Sequence, residues 1–293
     1  RSQAAAMKDI LSIIKISMHD MRHEFWPSLL AVLGLAGILT PLLILFSLKY
    51  GIIASMADRL LASPAYREIQ SDKHRELEPE WFQSMAMRPD VEFIVPHIYL
   101  LGKYSVPLEN PSDDRGETVF ADVQPTAPGD PVLKRWQLEV KANDEAVLTF
   151  YAAERLNLLD PETGELKSDI RSQPIRIQMA VTNEFAVEER WLKISGVIPK
   201  IDSKRDNNQI FVSLPLLTAL DDFRNRAEQK LSIDALLDRE DSNRKYPDFR
   251  LYAKTLDDVV TLVNELEQTD MPVSSRADRI LEMQQIDTVL ILV

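Results

Sequence analysis

Three hydrophobic patterns mark out the chain. From Met7 to Phe25 the apolar residues Met7, Ile10, Leu11, Ile14, Met18, Met21 and Phe25 recur at helical spacing, while Lys8, Lys15, His19 and Arg22 take other faces. That stripe predicts an amphipathic helix over 1–24, lying in a membrane interface. From Phe25 to Leu48 there is no charged residue. About 20 apolar residues cross a hydrocarbon core, so 25–48 reads as a transmembrane helix. Trp26 at one end and Lys49-Tyr50 at the other are suitable interfacial anchors. Pro27 falls in the first turn, where a missing N–H is harmless, and Pro41 predicts a kink. The run is too long for the apolar region of a signal peptide, about 7–15 residues. The third pattern is Thr288-Val-Leu-Ile-Leu-Val293. It reads as the start of a second transmembrane helix over 288–293, with the sequence being part of a longer protein.

Between these segments the periodicity changes repeatedly. Tyr50 to Gln70 reads as a helical stalk that ends near Pro64, and Glu76 to Met87 as a short acidic helix. Val91–Val95 reads as a strand closed by Pro96. Further strands are expected over His97–Tyr104, Thr118–Val123, Trp136–Val140, Ile175–Val181 and Trp191–Ile198. Turn signals separate them at 110–116, 127–131 and 160–164. Helices are expected within Asn143–Leu158 and around Asn183–Phe185. Ile210–Ser213 reads as a strand running into a helix over Leu216–Arg226, and 232–248 as a helix and an exposed loop. A β–α–β unit then follows: Asp248–Ala253, a helix Leu256–Thr269 capped by Thr255, and Met271–Ser275. Arg276–Asp287 reads as a returning helix.

The fold class is therefore α+β, with a membrane helix and an interrupted aqueous domain. Residues 49–96 carry the stalk and the first part of a membrane-proximal α+β unit. Residues 97–205 form a β-rich inserted subdomain, and 206–287 complete the first unit and the return stalk. A chain that leaves and returns to one surface brings its ends together.

Composition narrows the function. The formal charge of −12 leaves no basic footprint for nucleic acid, and the acidic excess falls after the apolar run. The flanks of that run are balanced in charge, so they do not decide orientation. The absence of cysteine excludes disulfides, zinc–thiolate sites and cysteine nucleophiles. His19 and His23 stand four apart on one helix beside Asp20 and Glu24, but no third ligand follows in sequence, so a polar interfacial face is expected rather than a metal site. His74 and His97 are isolated and read as ordinary residues. Asp238-Arg-Glu-Asp-Ser-Asn243 crowds oxygen ligands without the glycine and terminal glutamate of an EF-hand, so it reads as a solvated loop. No G-x-S-x-G, H-E-x-x-H or Walker A motif occurs. No catalytic, cofactor-binding or metal residue is assigned, and the chain is expected not to be an enzyme.

The arrangement resembles the permease subunit of MacB/FtsX-like, or type VII, ABC transporters. The residues that carry the resemblance are the strand-to-helix step Ile210-Phe-Val-Ser-Leu-Pro-Leu-Leu-Thr-Ala-Leu220, the closing run from Phe249 to Val260 with Pro272–Ser275, and Trp191-Leu-Lys-Ile-Ser-Gly-Val-Ile198. His23-Glu-Phe-Trp-Pro27 departs from the family's usual basic step before the first span. The resemblance implies a mechanical role. A cytoplasmic ABC ATPase, holding ATP and Mg, would move stalk helices at Tyr50–Ala62 and Arg276–Asp287. The large domain would then act on a periplasmic adaptor or substrate protein. It further implies a homodimer or pseudo-symmetric heterodimer in the bacterial inner membrane, in contact with lipid. A two-span sensor with a ligand-binding domain, or a membrane-anchored scaffold, would account for the same layout.

Overall fold

The computed structural model describes residues 25–47, 63–98, 105–167, 175–183, 186–203, 207–225, 231–239 and 243–276. The chain parts into two units, Arg1–Leu60 with Gln285–Val293, and Leu61–Gln284. In the first unit, α1 (Phe25–Ser47) is a 23-residue helix with Pro41 inside it. It is apolar on all sides and no described residue covers it: Leu30, Val32, Leu35, Ile38 and Leu43 are all exposed. A helix with no polar face has no stable place in water, and its length matches a bilayer core. The interfacial helix expected over 1–24, most of the stalk and the residues after 276 lie outside the described residues.

The second unit holds a sheet and a barrel. The sheet is built from two βαβ halves: β1 (Glu68–Ser71), α2 (Pro79–Ala86) and β2 (Val91–His97) in the first, then β9 (Asp248–Ala253), α7 (Leu256–Gln268) and β10 (Val273–Ser275) in the second. Strand order is β10-β1-β9-β2, antiparallel throughout. The two halves thus interlock, each placing a strand between those of the other. Helices α2 and α7 cover one face. Trp81 of α2 lies 5.1 Å from Phe249, and Leu256, Val259, Leu262 and Leu266 of α7 are buried. Thr255 and Asp258 form a reciprocal capping box at the start of α7. Pro96 sits in β2 without harm because β2 is an edge strand, with one side free of ladder bonds.

Between β2 and β9 the chain builds a closed barrel of order β3-β4-β8-β5-β7-β6. Its strands are β3 (Ser105–Glu109), β4 (Thr118–Thr126), β5 (Glu145–Thr149), β6 (Arg176–Thr182), β7 (Val187–Ile198) and β8 (Gln209–Ser213). The β3/β6 pairing, Leu108 opposite Met179, closes it, while β4/β8 and β5/β7 run parallel. Short helix α3 (Pro131–Lys134) follows β4, and α4 (Phe150–Arg155) follows β5. Helix α5 (Leu214–Asn225) and α6 (Ile233–Leu237) share the barrel's core through Leu216, Leu217, Leu220, Ile233 and Leu236.

The α+β class and the β–α–β tail are as expected, but several elements differ. Beyond Pro64, where the stalk helix was expected to end, Glu68–Ser71 forms a strand that the sequence did not mark; only Ile69 of it is buried, too little signal for either period. Trp136–Val140 is not a strand. It is a turn with Gln137 at φ 55°, and Trp136 and Leu138 pack against the small core around Leu133 and Val147. The helix expected within Asn143–Leu158 is split into β5 and α4, because the buried run Ala146–Thr149 is a two-faced strand. Of the strand expected over His97–Tyr104, His97 ends β2 and 99–104 lie outside the described residues; β3 begins at Ser105. The helix expected around Asn183–Phe185 falls partly outside the described residues. The boundary expected at 205/206 falls inside the barrel: β8 is a barrel strand, and α5 and α6 pack on it.

Candidate functional site

Strand β9 carries the feature that joins the two lobes. It is buried on both faces, so its alternate residues serve different partners. Phe249, Leu251 and Ala253 alternate with Arg250 and Tyr252. Arg250 pairs across the sheet with Gln70 of β1 and Val95 of β2, and Tyr252 with Glu68 and Phe93. These residues form the sheet face opposite the helices, and part of it meets the barrel.

Arg250 is 4% exposed and Asp130, just before α3, is 2% exposed. An arginine in the middle of a buried strand is costly unless its charge is paired and its N–H groups are satisfied. Here Nη2 donates to the Asp130 carboxylate and, at 2.9 Å, to the Pro125 carbonyl of β4, while the buried Nε has no hydrogen-bond partner. The guanidinium lies 5.6 Å from the Phe211 ring of β8 and 5.6 Å from that of Tyr252, within cation–π range. Burial works against the charge on Arg250, but the Asp130 carboxylate more than offsets it and holds the guanidinium ionised.

Asp130 is itself held on three sides. Its side chain accepts from Thr126 Oγ1 at 2.9 Å and from the Val132 backbone N–H at 3.0 Å, the latter as N-cap of α3. Gly129, at φ 91°, makes the tight turn that delivers it. The turn signal at 127–131 is therefore the platform on which the arginine lands. Around the pair, Phe93, Val95 and Tyr252 of the sheet meet Ala127 and Val132.

A second contact lies at the end of the same face, where His97 of β2 stands opposite Asp248 of β9. His97 Nε2 is 3.3 Å from Gln124 Oε1 of β4, and Nδ1 lies 3.8 Å from the Asp248 carboxylate, with no hydrogen-bond partner. Burial, helped by Arg250, lowers the His97 pKa to about 4. Burial also raises Asp248 to about 6, against backbone hydrogen bonds that favour its charge. At neutral pH the pair is a neutral imidazole beside a strained carboxylate.

Towards β1 and β10 the lobes separate, leaving a cleft of about 650 Å³. Glu68 and Gln70 of β1 line one wall, and Asp122, Gln124 and Gln209 of β4 and β8 line the other. The lining is mixed, with Val132, Ile201, Phe211 and Tyr252 beside the polar groups, and among the described residues no grouping resembles a nucleophile with its base.

Of the residues singled out from sequence, His97 is in this seam, and His74 lies near enough to Asp248 to lower its pKa. His19, His23, Asp20, Glu24 and Tyr50–Ala62 lie outside the described residues, as does Arg276–Asp287 beyond Arg276. No group of three or more potential metal ligands occurs among the described residues. Arg250 and Asp130 were not singled out. The available signal was a lone charge inside an otherwise apolar strand, which requires a buried partner.

These features define an α+β protein that has, among the described residues, one helix long and apolar enough to cross a membrane, and a domain made of interlocked βαβ halves with a barrel between them. No protein-family model and no curated protein matches the sequence. Among solved structures, the chain is similar to the periplasmic region of MacB from Actinobacillus actinomycetemcomitans, with 9% identity and a TM-score of 0.39, over 75% of this chain and 94% of that one. The likeness concerns the MacB part of the sequence resemblance and not FtsX.

Proposed function

We propose that the chain is the membrane-anchored, extracytoplasmic part of an ABC transporter permease of the MacB/FtsX mechanotransmission type. In this reading a cytoplasmic ATPase binds ATP with Mg and drives the permease, which works as a homodimer or pseudo-symmetric heterodimer in the bacterial inner membrane. The large domain converts that motion into work on a periplasmic adaptor or substrate protein.

The observation that carries the reading is how the chain enters and leaves the aqueous unit. It enters by β1 and leaves by β10, and these are paired neighbours, with Ile69 opposite Ser275. Arg276, just after β10, lies 4.7 Å from the Tyr66 ring just before β1. Two flanking segments that move together would therefore act on one edge of one sheet. A mechanical coupler needs such an input, and a freely tethered scaffold does not. The cleft favours the second reading, a sensor in which a ligand between the lobes moves the same edge.

Affinity purification of the full-length protein in detergent separates the two. The expected result is a stoichiometric P-loop ATPase, on a partner or on the same chain. A kinase or cyclase module in its place would sink the transporter reading in favour of the sensor.

A further inference from the structure

The contacts between sheet and barrel are unevenly placed. Arg250, on β9, bonds to Pro125 at the end of β4 and to Asp130 in the turn that follows. The adjoining apolar patch is small, and on the β1 and β10 side the lobes stand apart around the cleft. The sheet order puts β1 one strand from β9 and β10 two strands away. At about 4.8 Å per strand, the edge at which the chain enters and leaves lies roughly 10 Å from the Arg250 attachment.

From this geometry we infer that the Asp130–Arg250 pair is the pivot of a hinge, about which sheet and barrel rotate to open and close the cleft. Arg250 acts as a positioning residue, holding β9 to the barrel while the β1/β10 edge swings. With the His97–Gln124 contact beside them, its bonds to the end of β4 and to the following turn lie along the β2/β9 side of the cleft, and a small rotation about that line keeps them. A buried ion pair adds little net stability over a well-packed apolar contact, but a guanidinium accepts few geometries and so fixes where the lobes meet. The cleft walls suit repeated closure. Gln70, Asp122 and Gln209 can exchange water for one another, and the apolar share of the lining, Val132, Ile201 and Phe211 among it, favours the closed state without excluding the open one. The inference concerns the aqueous unit alone and holds for a transporter or a sensor.

The chain has no cysteine, so introduced ones can be labelled selectively. Gln70→Cys with Asn207→Cys places spin labels across the cleft, and Arg176→Cys with Asn207→Cys places a control pair on the barrel. Distance distributions are measured by pulsed electron resonance on the full chain in nanodiscs. The cross-cleft distribution is expected to be at least twofold wider than the control, and Asp130→Asn is expected to widen it further while the control stays unchanged. A cross-cleft distribution as narrow as the control means one rigid body and overturns the hinge. A wide distribution that Asp130→Asn does not alter overturns the assignment of the pivot. If Asp130→Asn also broadens the control, the fold is damaged, and Arg250→Lys, which keeps the charge and loses the planar guanidinium, replaces it with the same expected outcome.

Discussion

The sheet and the barrel are similar in content and opposite in construction. The barrel is continuous in sequence from β3 to α6, and its core draws on every one of its strands. The sheet is discontinuous: β1, α2 and β2 precede the barrel, and β9, α7 and β10 follow it. Strand order β10-β1-β9-β2 alternates between the two halves, so neither half is a sheet alone. The barrel can hold together without the sheet, whereas the sheet needs the barrel to bring its halves within reach. Dependence between the lobes is therefore one-sided, and only a few side chains carry it across the seam.

The largest expected effect is at that seam. Arg250→Ala leaves the Asp130 carboxylate buried without its cation and should cost about 3–5 kcal/mol. Replacing both partners by Arg250→Met with Asp130→Ala should cost much less, because no charge is left uncompensated. Chemical denaturation of the full chain in detergent, followed by tryptophan fluorescence, measures both; equal losses would mean that packing rather than charge pairing dominates. Core truncations test the one-sidedness itself. Leu148→Ala in β5 and Leu262→Ala in α7 each remove a fully buried side chain and should cost about 2–5 kcal/mol. Hydrogen exchange should show Leu148→Ala loosening sheet and barrel together, and Leu262→Ala loosening the sheet while the barrel keeps its protection. Trp81 on the sheet and Trp136 and Trp191 on the barrel give the same comparison optically. Coincident loosening in both variants would make the lobes a single cooperative unit.

The two lobes were also unequally legible. The β9–α7–β10 half could be read from sequence because each element carries its own period. Asp248–Ala253 is bounded by a proline and a cap, and Val259, Leu262 and Leu266 recur at helical spacing behind Thr255. In β1 one buried residue, Ile69, gives no period, so nothing in the sequence marked a strand beyond Pro64. In β5 the run Ala146–Thr149 is buried on both faces, so the alternation that marks a strand is missing. The barrel boundary was misplaced because β8 pairs in parallel with β4, some ninety positions earlier, and no local feature announces such a partner. The site follows the same rule. The turn that holds Asp130 was visible through its proline and glycine, but its partner Arg250 is 120 positions away. Only the burial of β9 connects them.

Next in size is a pH effect that cancels within the seam until one partner is removed. His97 has its pKa lowered from 6.5 to about 4, so its contribution is present above pH 6.5 and is lost as pH falls through about 4. Asp248 has its pKa raised from 3.8 to about 6, so its contribution is present below pH 3.8 and is lost as pH rises through about 6. Each shift corresponds to something on the order of 3 kcal/mol, with opposite sign over the same window. The unaltered protein should therefore change little in stability between pH 7 and pH 4 on account of this pair. His97→Gln should become more stable on acidification, and Asp248→Asn less stable. Unfolding midpoints at several pH values give the two slopes; parallel profiles for both variants would show that the groups do not oppose one another.

The smallest expected effect sharpens the comparison within the sheet lobe. Thr255 Oγ1 accepts from the Asp258 N–H at 3.2 Å, and the Asp258 carboxylate accepts from the Thr255 N–H at 3.0 Å. Thr255→Ala removes the first bond and should cost about 1 kcal/mol. The lost bond is local to the first turn of α7, and α7 covers the half of the sheet that follows the barrel in sequence. Exchange should therefore rise first in α7, then in β9 and β10, and last in β1, with the barrel unchanged. The order matters more than the size, because it follows the chain's second βαβ half rather than the strand order. If β1 loosened along with β9, its spatial neighbour, the interlocked sheet would respond as a whole, and the two halves would be distinct in sequence but not in energy.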